Sequence, residues 1–123
     1  LVVDDEDDLR DFLAGEIQEA GHQVEGAANG VEAVLQVLDH RPDAVVMDIR
    51  MPRLDGIDAL RILKRLAPAL PVIILSGQAG RGDMLLASQL GAQTCLLKPV
   101  QVDRLLETLD LALHQMAQSS QKP

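Results

Sequence analysis

The organisation of this chain can be worked out from a single segment, Ala44-Val45-Val46-Met47-Asp48-Ile49-Arg50-Met51-Pro52-Arg53-Leu54-Asp55-Gly56. Its apolar part is too short for a helix and is typical of a buried strand. The strand ends in the carboxylate of Asp48, and a Met-Pro turn separates it from Asp55-Gly56, where a helical pattern begins. Open α/β sheets build their active sites at the carboxyl ends of strands. Asp48 is therefore the first candidate for a functional residue.

Other short apolar segments alternate with helical patterns on both sides of this strand. Strands are predicted at residues 1–3, 23–27, 44–48, 71–75 and 94–97, and helices at residues 6–20, 29–40, 55–67, 83–90 and 102–116. This alternation predicts an α/β fold in which a five-stranded parallel sheet has five helices distributed over both faces. Right-handed crossovers favour the flavodoxin-like, doubly wound strand order 2-1-3-4-5.

The apolar residues of the predicted helices are expected to face the core. In the first two helices these residues are Leu9, Phe12, Leu13, Ile17 and Ala20, then Val31, Val34, Leu35 and Leu38. We expect a single domain over residues 1–117, followed by a polar segment, 118–123, that is a C-terminal tail or the start of a linker. Because Leu1 already lies inside an apolar run, we also expect the natural N-terminus to lie upstream.

The composition excludes several classes of protein. A net charge of −8 argues against direct binding of nucleic acid, because phosphate binding needs a basic face. The chain has neither an apolar run of membrane-spanning length nor a segment that resembles a signal peptide. A single cysteine, Cys95, cannot form an internal disulfide and suits a reducing cytosol. These features indicate a cytoplasmic protein that does not contact a membrane.

The predicted strand ends carry a set of polar residues that a parallel sheet would bring to one edge. They are Asp4 and Asp5, Asp48, Ser76 and Lys98. Clustered carboxylates repel one another unless a cation joins them, and an all-oxygen site suits Mg²⁺. A carboxylate nucleophile beside a metal, a hydroxyl and a lysine is suited to in-line phosphoryl transfer. Taken singly, the acids could be helix caps and Ser76-Gly77 a turn.

With these residues in view, the sequence resembles the receiver domain of two-component response regulators over essentially its whole length. The matching motifs are Val2-Val3-Asp4-Asp5-Glu6, Met47-Asp48-Ile49-Arg50-Met51-Pro52 with Asp55-Gly56, Leu75-Ser76-Gly77 and Lys98-Pro99. Each motif is weak alone, but the four occur in order and each lies at a predicted strand end.

The resemblance implies that Asp48 accepts a phosphoryl group from a sensor histidine kinase or a phosphotransfer protein. It further implies that Asp5 and Asp48 ligate Mg²⁺, with Asp4 acting directly or through water and the backbone carbonyl of Arg50 completing the set. The same family switches an output domain or a downstream protein. Members of that family can also form a homodimer through the face made by the fourth helix, the fifth strand and the fifth helix.

By the same resemblance, Ser76 contacts the phosphoryl group and Lys98 pairs with one of its oxygens, while the Lys98-Pro99 bond is cis. Three positions before the lysine, where the family usually has an aromatic residue, this chain has Cys95. A small thiol cannot reproduce the movement of a ring, so we expect output through backbone movement or the fourth helix. We also expect the Arg50 side chain to reach over the site and tune the phosphoryl lifetime.

Three alternatives remain beside this interpretation. A haloacid-dehalogenase-like phosphohydrolase would use Asp5 as its nucleophile, although the chain has no room for a substrate-covering cap. A flavodoxin-like FMN carrier would need a hydroxyl-rich phosphate loop and aromatic residues that this sequence lacks. A degenerate receiver would act only as a protein-binding module. We expect a switch that catalyses only its own phosphorylation and dephosphorylation, not an enzyme acting on small molecules.

Overall fold

The structure is a computed structural model, and it describes residues 1–51, 53–77 and 81–120. The elements in chain order are β1 (Val2–Val3), α1 (Asp7–Glu19), β2 (Gly26–Ala27), α2 (Gly30–His40), β3 (Val45–Asp48), α3 (Gly56–Leu66), β4 (Val72–Ser76), α4 (Arg81–Gln89), β5 (Thr94–Leu97) and α5 (Val102–Ser120). The proline of the predicted Met-Pro turn, the loop residues 78–80 and the last tail residues 121–123 lie outside the described residues.

The strands form one parallel sheet in the order β2-β1-β3-β4-β5, which confirms the predicted topology. Strand β3 lies at its centre, where Val46 pairs with Val2 on one side and Ile73 on the other. The register places Asp48 opposite Leu75 of β4. All the strands therefore end at the same edge of the sheet, and Asp48 lies in the middle of that edge.

Helices cover both faces of the sheet, as the alternating pattern predicts. One core lies under α2, α3 and α4, and includes Val45 and Met47 of β3. A second core lies under α1 and α5, and includes the intervening Val46. Successive side chains of a strand point to opposite faces, so the central strand contributes to both cores and is buried on both sides.

Local sequence signals fix where several helices begin and end. Asn29 caps α2 by accepting a hydrogen bond from the Glu32 N–H, and Asp55 caps α3 by accepting one from the Asp58 N–H. Gly21 follows α1 with a φ of 102°, a left-handed conformation that glycine adopts without strain. The cap at Asp55 places the start of α3 directly after the loop that follows Asp48.

Three elements have a boundary that differs from the sequence prediction by more than one residue. Strand β2 covers only Gly26–Ala27, because it is an edge strand whose single neighbour, β1, is itself only two residues long. Helix α4 begins at Arg81 and not near Asp83. Helix α5 continues to Ser120, beyond the predicted end at residue 116, so part of the expected polar tail is helical. The domain boundary at residue 117 stays a prediction.

The predicted apolar stripe of α2 is correct only at Val34, which packs against the core, and is wrong at its other three positions. Small or slim residues on another side of the helix, including Ala33 and Val37, contact the sheet, whereas Val31, Leu35 and Leu38 are exposed. Ala33 lets the helix approach the strands closely, which turns the larger side chains away from the core. Phe12 of α1 is exposed in the same way. Within the described residues, no helix has both the length and the apolar composition that crossing a bilayer requires.

Candidate functional site

The carboxyl ends of β1 and β3 bring three carboxylates together. Asp4, Asp5 and Asp48 each place one oxygen within 4.8 Å of the others. Asp4 is fully buried and Asp48 nearly so, while Asp5 is exposed. Two of the acids are therefore held inside the protein, and the third borders solvent.

Lys98, just after β5, provides the cation that faces these acids. Its Nζ lies 2.7 Å from Asp48 Oδ2 and 3.5 Å from Asp4 Oδ2. Burial of the ammonium group acts to lower the pKa of Lys98, but the hydrogen bond and charge of Asp48, together with Asp4, outweigh it and raise that pKa. Lys98 is consequently charged at neutral pH and holds two strands of the site together.

In Asp4, the effect of burial on the pKa outweighs the effects of the groups that stabilise its charged form. Burial raises the pKa of Asp4, and the Glu6 N–H and the charge of Lys98 only partly oppose that effect. One lysine beside three carboxylates leaves the cluster with excess negative charge. The buried carboxylate therefore has room for a further cation as a partner.

Backbone N–H groups fix the orientation of both buried acids. The Glu6 N–H donates to Asp4 Oδ1 at 2.9 Å, and the Arg50 N–H donates to Asp48 Oδ1 at 3.2 Å. In each case the donor lies two residues after the acid, the local geometry that aspartate commonly forms at the start of a turn. The second oxygen of each acid faces Lys98. Both strands thus present a carboxylate in the same way.

Ser76 ends β4, and its hydroxyl is buried without a hydrogen-bond partner in the described part of the chain. The register places Ser76 one position beyond the Asp48–Leu75 pair and opposite Leu97, the residue before Lys98. Buried hydroxyl groups normally have a partner, so an unpaired one needs an explanation. Among the described residues, no atom lies within 4 Å of the place where a Cβ at Gly77 would stand.

Two residues with individual predictions contact α4. The Arg50 guanidinium lies 3.8 Å from the Asp83 carboxylate, so its expected reach over the acceptor stays a prediction. The Cys95 thiol donates to the carbonyl oxygen of Met84 at 3.8 Å. Burial raises the pKa of the Cys95 thiol, which keeps it protonated and argues against a reactive cysteine. The Lys98-Pro99 bond is cis, which confirms that expectation.

Arg10 of α1 is a site residue that the sequence analysis missed. Its Nη1 donates to the backbone carbonyl of Asp4 at 2.7 Å, and its Nη2 contacts the Asp7 carboxylate at 2.6 Å. The guanidinium therefore ties the end of β1 to the first turn of α1. In the sequence, the signal for this role is a single arginine that follows a run of acidic residues by about one helical turn.

Gly56 is a second such residue, since the sequence analysis placed it in a matching motif and at the start of a helix but gave it no role at the site. Its N–H donates to the carbonyl oxygen of Ile49 at 2.6 Å. A Cβ at this position would overlap the carbonyl oxygen of Asp48 and lie 2.6 Å from Ile49 Cα. The start of α3 therefore packs directly on the backbone at the end of β3, and only glycine leaves room for it.

The donor set fits Mg²⁺. It consists of carboxylate oxygens with no histidine or cysteine among the clustered ligands, which suits a hard divalent cation better than zinc or copper. A divalent cation would also offset the excess negative charge beside the buried Asp4. The fit of Mg²⁺ rests on the closeness of the three carboxylates and on their oxygen ligands.

Comparisons with known proteins agree on one kind of domain. The family model described as "Response regulator receiver domain" matches residues 1–110. The chain is 38% identical over 106 residues to the response regulator MprA of Mycobacterium sp. (strain KMS), covering 86% of this chain and 46% of that protein. It is 37% identical over 111 residues to the chemotaxis protein CheY of Thermotoga maritima, covering 89% of this chain and 92% of that protein.

Solved structures give the same result. The receiver domain of NtrX from Brucella abortus matches with a TM-score of 0.87 and 36% identity, covering 92% of this chain and 96% of that one. A CheY-like receiver domain protein from Methanospirillum hungatei has a TM-score of 0.92 at 24% identity, covering 96% and 94%, and supports the fold alone. The chain spans about half the length of MprA and nearly all of CheY.

Proposed function

The chain belongs to the response regulator receiver domain family, the phospho-accepting switches of signal transduction, and on that basis we propose that Asp48 is its phospho-acceptor. One observation carries the proposal. Three carboxylates from two strand ends lie within 4.8 Å of one another, and Lys98 is 2.7 Å from Asp48. Asp48 is the member of this cluster that lies at the centre of the sheet edge, beside Ser76 and Lys98.

The reaction is transfer of a phosphoryl group from a phosphohistidine of a sensor kinase or phosphotransfer protein. An Asp48 carboxylate oxygen forms a bond to phosphorus as the phosphorus–nitrogen bond breaks, and the electron pair of that bond leaves with the imidazole. Hydrolysis of the acyl phosphate by water later returns the carboxylate and releases inorganic phosphate. The domain acts only on its own aspartate in both steps.

Mg²⁺ is the cofactor we assign to this site. Asp5 and Asp48 would ligate it, Asp4 would act directly or through water, and the backbone carbonyl of Arg50 would complete the protein ligands. When bound, the ion supplies positive charge that stabilises the phosphoryl oxygens during transfer. The exposed position of Asp5 supports entry of a hydrated ion from solvent.

Lys98 and Ser76 are the remaining catalytic residues. Lys98 pairs with Asp48 before transfer, and we expect its ammonium group to exchange that carboxylate oxygen for a phosphoryl oxygen. The buried hydroxyl of Ser76 has no partner among the described residues, and a phosphoryl oxygen would give it one. Lys98 neutralises, and Ser76 donates to, oxygens where charge develops.

The alternatives fit these observations less well. In the dehalogenase-like alternative the exposed Asp5 is the nucleophile. The cation of the site, Lys98, however, contacts Asp48 and Asp4. A degenerate receiver would have no need for Lys98, Ser76 and three clustered acids in one place. The family membership favours neither alternative.

For the output we propose a route through α4 and its neighbours. Cys95 connects β5 to the Met84 carbonyl of α4, where the family usually has an aromatic side chain. The large apolar residues Leu85, Leu97 and Leu111 are exposed on α4, β5 and α5 respectively. This face is suited to an output domain, a downstream protein or a second receiver, inside the cytoplasm. If hydrogen exchange in α4 is unchanged on phosphorylation, this route is wrong.

The test of the chemistry is intact mass after incubation with acetyl phosphate. Wild type should gain one phosphoryl group, the gain should require Mg²⁺, and Asp48→Asn should abolish it. The matched control is Asp11→Asn, which removes an exposed aspartate of α1 outside the cluster and should behave as wild type. Equal labelling of the Asp48 variant would contradict the assignment, and labelling lost only in Asp5→Asn would favour the dehalogenase-like alternative.

A further inference from the structure

Arg10 of α1 holds the backbone on both sides of Asp5. Its Nη1 donates to the carbonyl oxygen of Asp4 at 2.7 Å, and its own backbone N–H donates to the carbonyl oxygen of Glu6 at 2.9 Å. Between these two carbonyl groups, the Glu6 N–H donates to Asp4 Oδ1. Three successive peptide groups around Asp5 are therefore fixed, two of them by Arg10.

The Asp4 carbonyl group depends on Arg10 because the ladder between β1 and β2 ends at this point. The Asp4 N–H still donates to the carbonyl oxygen of Ala27, which is the last residue of β2. In a continued parallel ladder the Asp4 carbonyl would accept from the N–H of Asn29, but Asn29 caps α2 instead. A buried carbonyl group needs a donor, and the Arg10 guanidinium supplies the one that the ladder lacks.

Asp5 is the member of the acidic cluster whose carboxylate is held only through its backbone. Asp4 and Asp48 each accept a backbone N–H and face Lys98. In the described part of the chain, the exposed Asp5 carboxylate has neither a hydrogen bond nor an ion pair. Its oxygen nevertheless lies within 4.8 Å of the oxygens of the other two acids. The contacts that fix the backbone around Asp5 therefore keep this oxygen within reach of the cluster.

The Arg10 side chain is packed, and its charge is compensated. Its exposed fraction is 19%, and its stem lies across Gly26 of β2, where an added Cβ would be 3.3 Å from Arg10 Cδ. Its Nη2 is 2.6 Å from the carboxylate of Asp7. Because this ion pair offsets the positive charge, the guanidinium can lie beside a cation site at a small electrostatic cost.

We propose that Arg10 is a positioning residue for Mg²⁺, which holds Asp5 in place for the ion without contacting the ion itself. The proposal rests on the Mg²⁺ site proposed above and adds a residue from outside the acidic cluster. Groups that orient metal ligands commonly contribute about 10- to 100-fold to metal affinity. The possible roles of Arg10 predict opposite signs, because removing a nearby positive charge strengthens the binding of a cation whereas removing a positioning group weakens it.

The test is the Mg²⁺ dissociation constant of the full chain, measured by titration calorimetry with MgCl₂ and without a phosphodonor. Arg10→Met keeps most of the stem but removes the donors, and it should weaken Mg²⁺ binding about tenfold. The matched control is Arg61→Met on α3, because Arg61 also pairs with an aspartate three residues earlier, Asp58, at 4.0 Å. The control removes the same charge and should leave the dissociation constant within about twofold of wild type. Circular dichroism checks that each variant is folded.

Two further variants separate the hydrogen bond from the charge. Arg10→Lys keeps the charge and one donor group, so it should bind Mg²⁺ within about threefold of wild type. Gly26→Val keeps Arg10 but places a side chain where the arginine stem lies, so it should weaken Mg²⁺ binding by at least about threefold. Gly26 is exposed on an edge strand, so this variant tests the proposal without altering the core.

Four results would overturn the role of Arg10 while leaving the Mg²⁺ site in place. They are unchanged or tighter binding by Arg10→Met, an equal loss in Arg61→Met, no recovery in Arg10→Lys, and wild-type affinity in Gly26→Val. A wild type that binds no Mg²⁺ would overturn the metal assignment itself, and this proposal with it.

Discussion

Replacing Lys98 with Met would show how strongly one ammonium group holds the acidic cluster together. Its Nζ is 2.7 Å from Asp48 and 3.5 Å from Asp4, both of which are buried. Met keeps most of the apolar stem but leaves these two carboxylates without their cation. Removing one partner of a buried ion pair costs about 3 to 5 kcal/mol, and because the Lys98 side chain is 20% exposed we expect a loss of about 2 to 3 kcal/mol in the free energy of unfolding.

The loss should depend on pH in a defined direction. Burial acts to lower the pKa of Lys98, but the hydrogen bond and charge of Asp48 raise it overall. Its stabilisation is therefore complete below the ordinary lysine pKa and is lost only as the pH rises through the raised value. On the acid side, burial raises the pKa of Asp4, so Asp4 binds a proton at a higher pH than an exposed aspartate does. The penalty in Lys98→Met should consequently shrink as the pH falls through the raised pKa of Asp4.

Urea unfolding followed by far-UV circular dichroism is the appropriate assay, since the chain has no Trp or Tyr. Lys64→Met is the matched control, because Lys64 Nζ donates to the carbonyl oxygens of Pro68 and Leu70 at 2.9 and 3.0 Å and contacts no carboxylate within the described residues. Its loss of stability should be the same at neutral and acid pH. If Lys98→Met shows equally pH-independent behaviour, the cost arises from packing and the electrostatic reasoning is refuted.

Three further predictions concern the acids and the glycines of the site. Asp4→Asn removes one buried charge and should raise the free energy of unfolding measured without Mg²⁺ by about 1 kcal/mol. In urea titrations with Mg²⁺, the variant should lose the extra stability that the ion gives wild type. Unchanged stabilisation by Mg²⁺ would exclude Asp4 from the site. In wild type, Mg²⁺ affinity measured by calorimetry should fall as the pH falls through the raised pKa of Asp4, because proton and metal compete; a flat profile would contradict this. Gly56→Ala should lower the free energy of unfolding by about 3 kcal/mol, because its Cβ overlaps the Asp48 carbonyl oxygen. Gly77→Ala, whose Cβ meets none of the described atoms within 4 Å, should change it by less than about 1 kcal/mol. Equal effects would show that the overlap at Gly56 is relieved at little cost.

The sheet and the clustering of its strand-end residues could be predicted because both follow from local patterns and one topological rule. Short apolar runs identify the strands, and parallel strands must end at the same edge. Asp4, Asp48 and Lys98 were therefore placed near one another although they lie far apart in sequence. The structure brings Lys98 into contact with both acids.

The inward faces of the helices were harder to predict. Leu35 and Leu38 look like core residues by composition, yet Ala33 and Val37 occupy the contact with the sheet. An apolar residue count cannot distinguish a helix that packs closely through small residues from one that packs through large ones. The same ambiguity concealed the exposure of Leu35 and Leu38, which can be read only when the orientation of α2 is known.

The positioning residues were missed because their function depends on backbone atoms. Arg10 binds the carbonyl oxygen of Asp4, and Gly56 leaves room for the carbonyl oxygen of Asp48. A sequence lists side chains but gives no direct sign of which carbonyl groups another element will approach. Residues that act on side chains, such as Lys98, are easier to recognise than residues that act on the main chain.

The contacts of Lys98 also have a kinetic consequence. The lysine lies 94 positions after Asp4 and 50 positions after Asp48. Contacts between such distant residues form late in folding, because the entropy of closing a long loop must be overcome before the contact contributes any stability. A chain still emerging during synthesis can thus present the acids of β1 and β3 before it has the lysine. The acids at the ends of β1 and β3 therefore acquire their buried cation only when β5 joins the sheet.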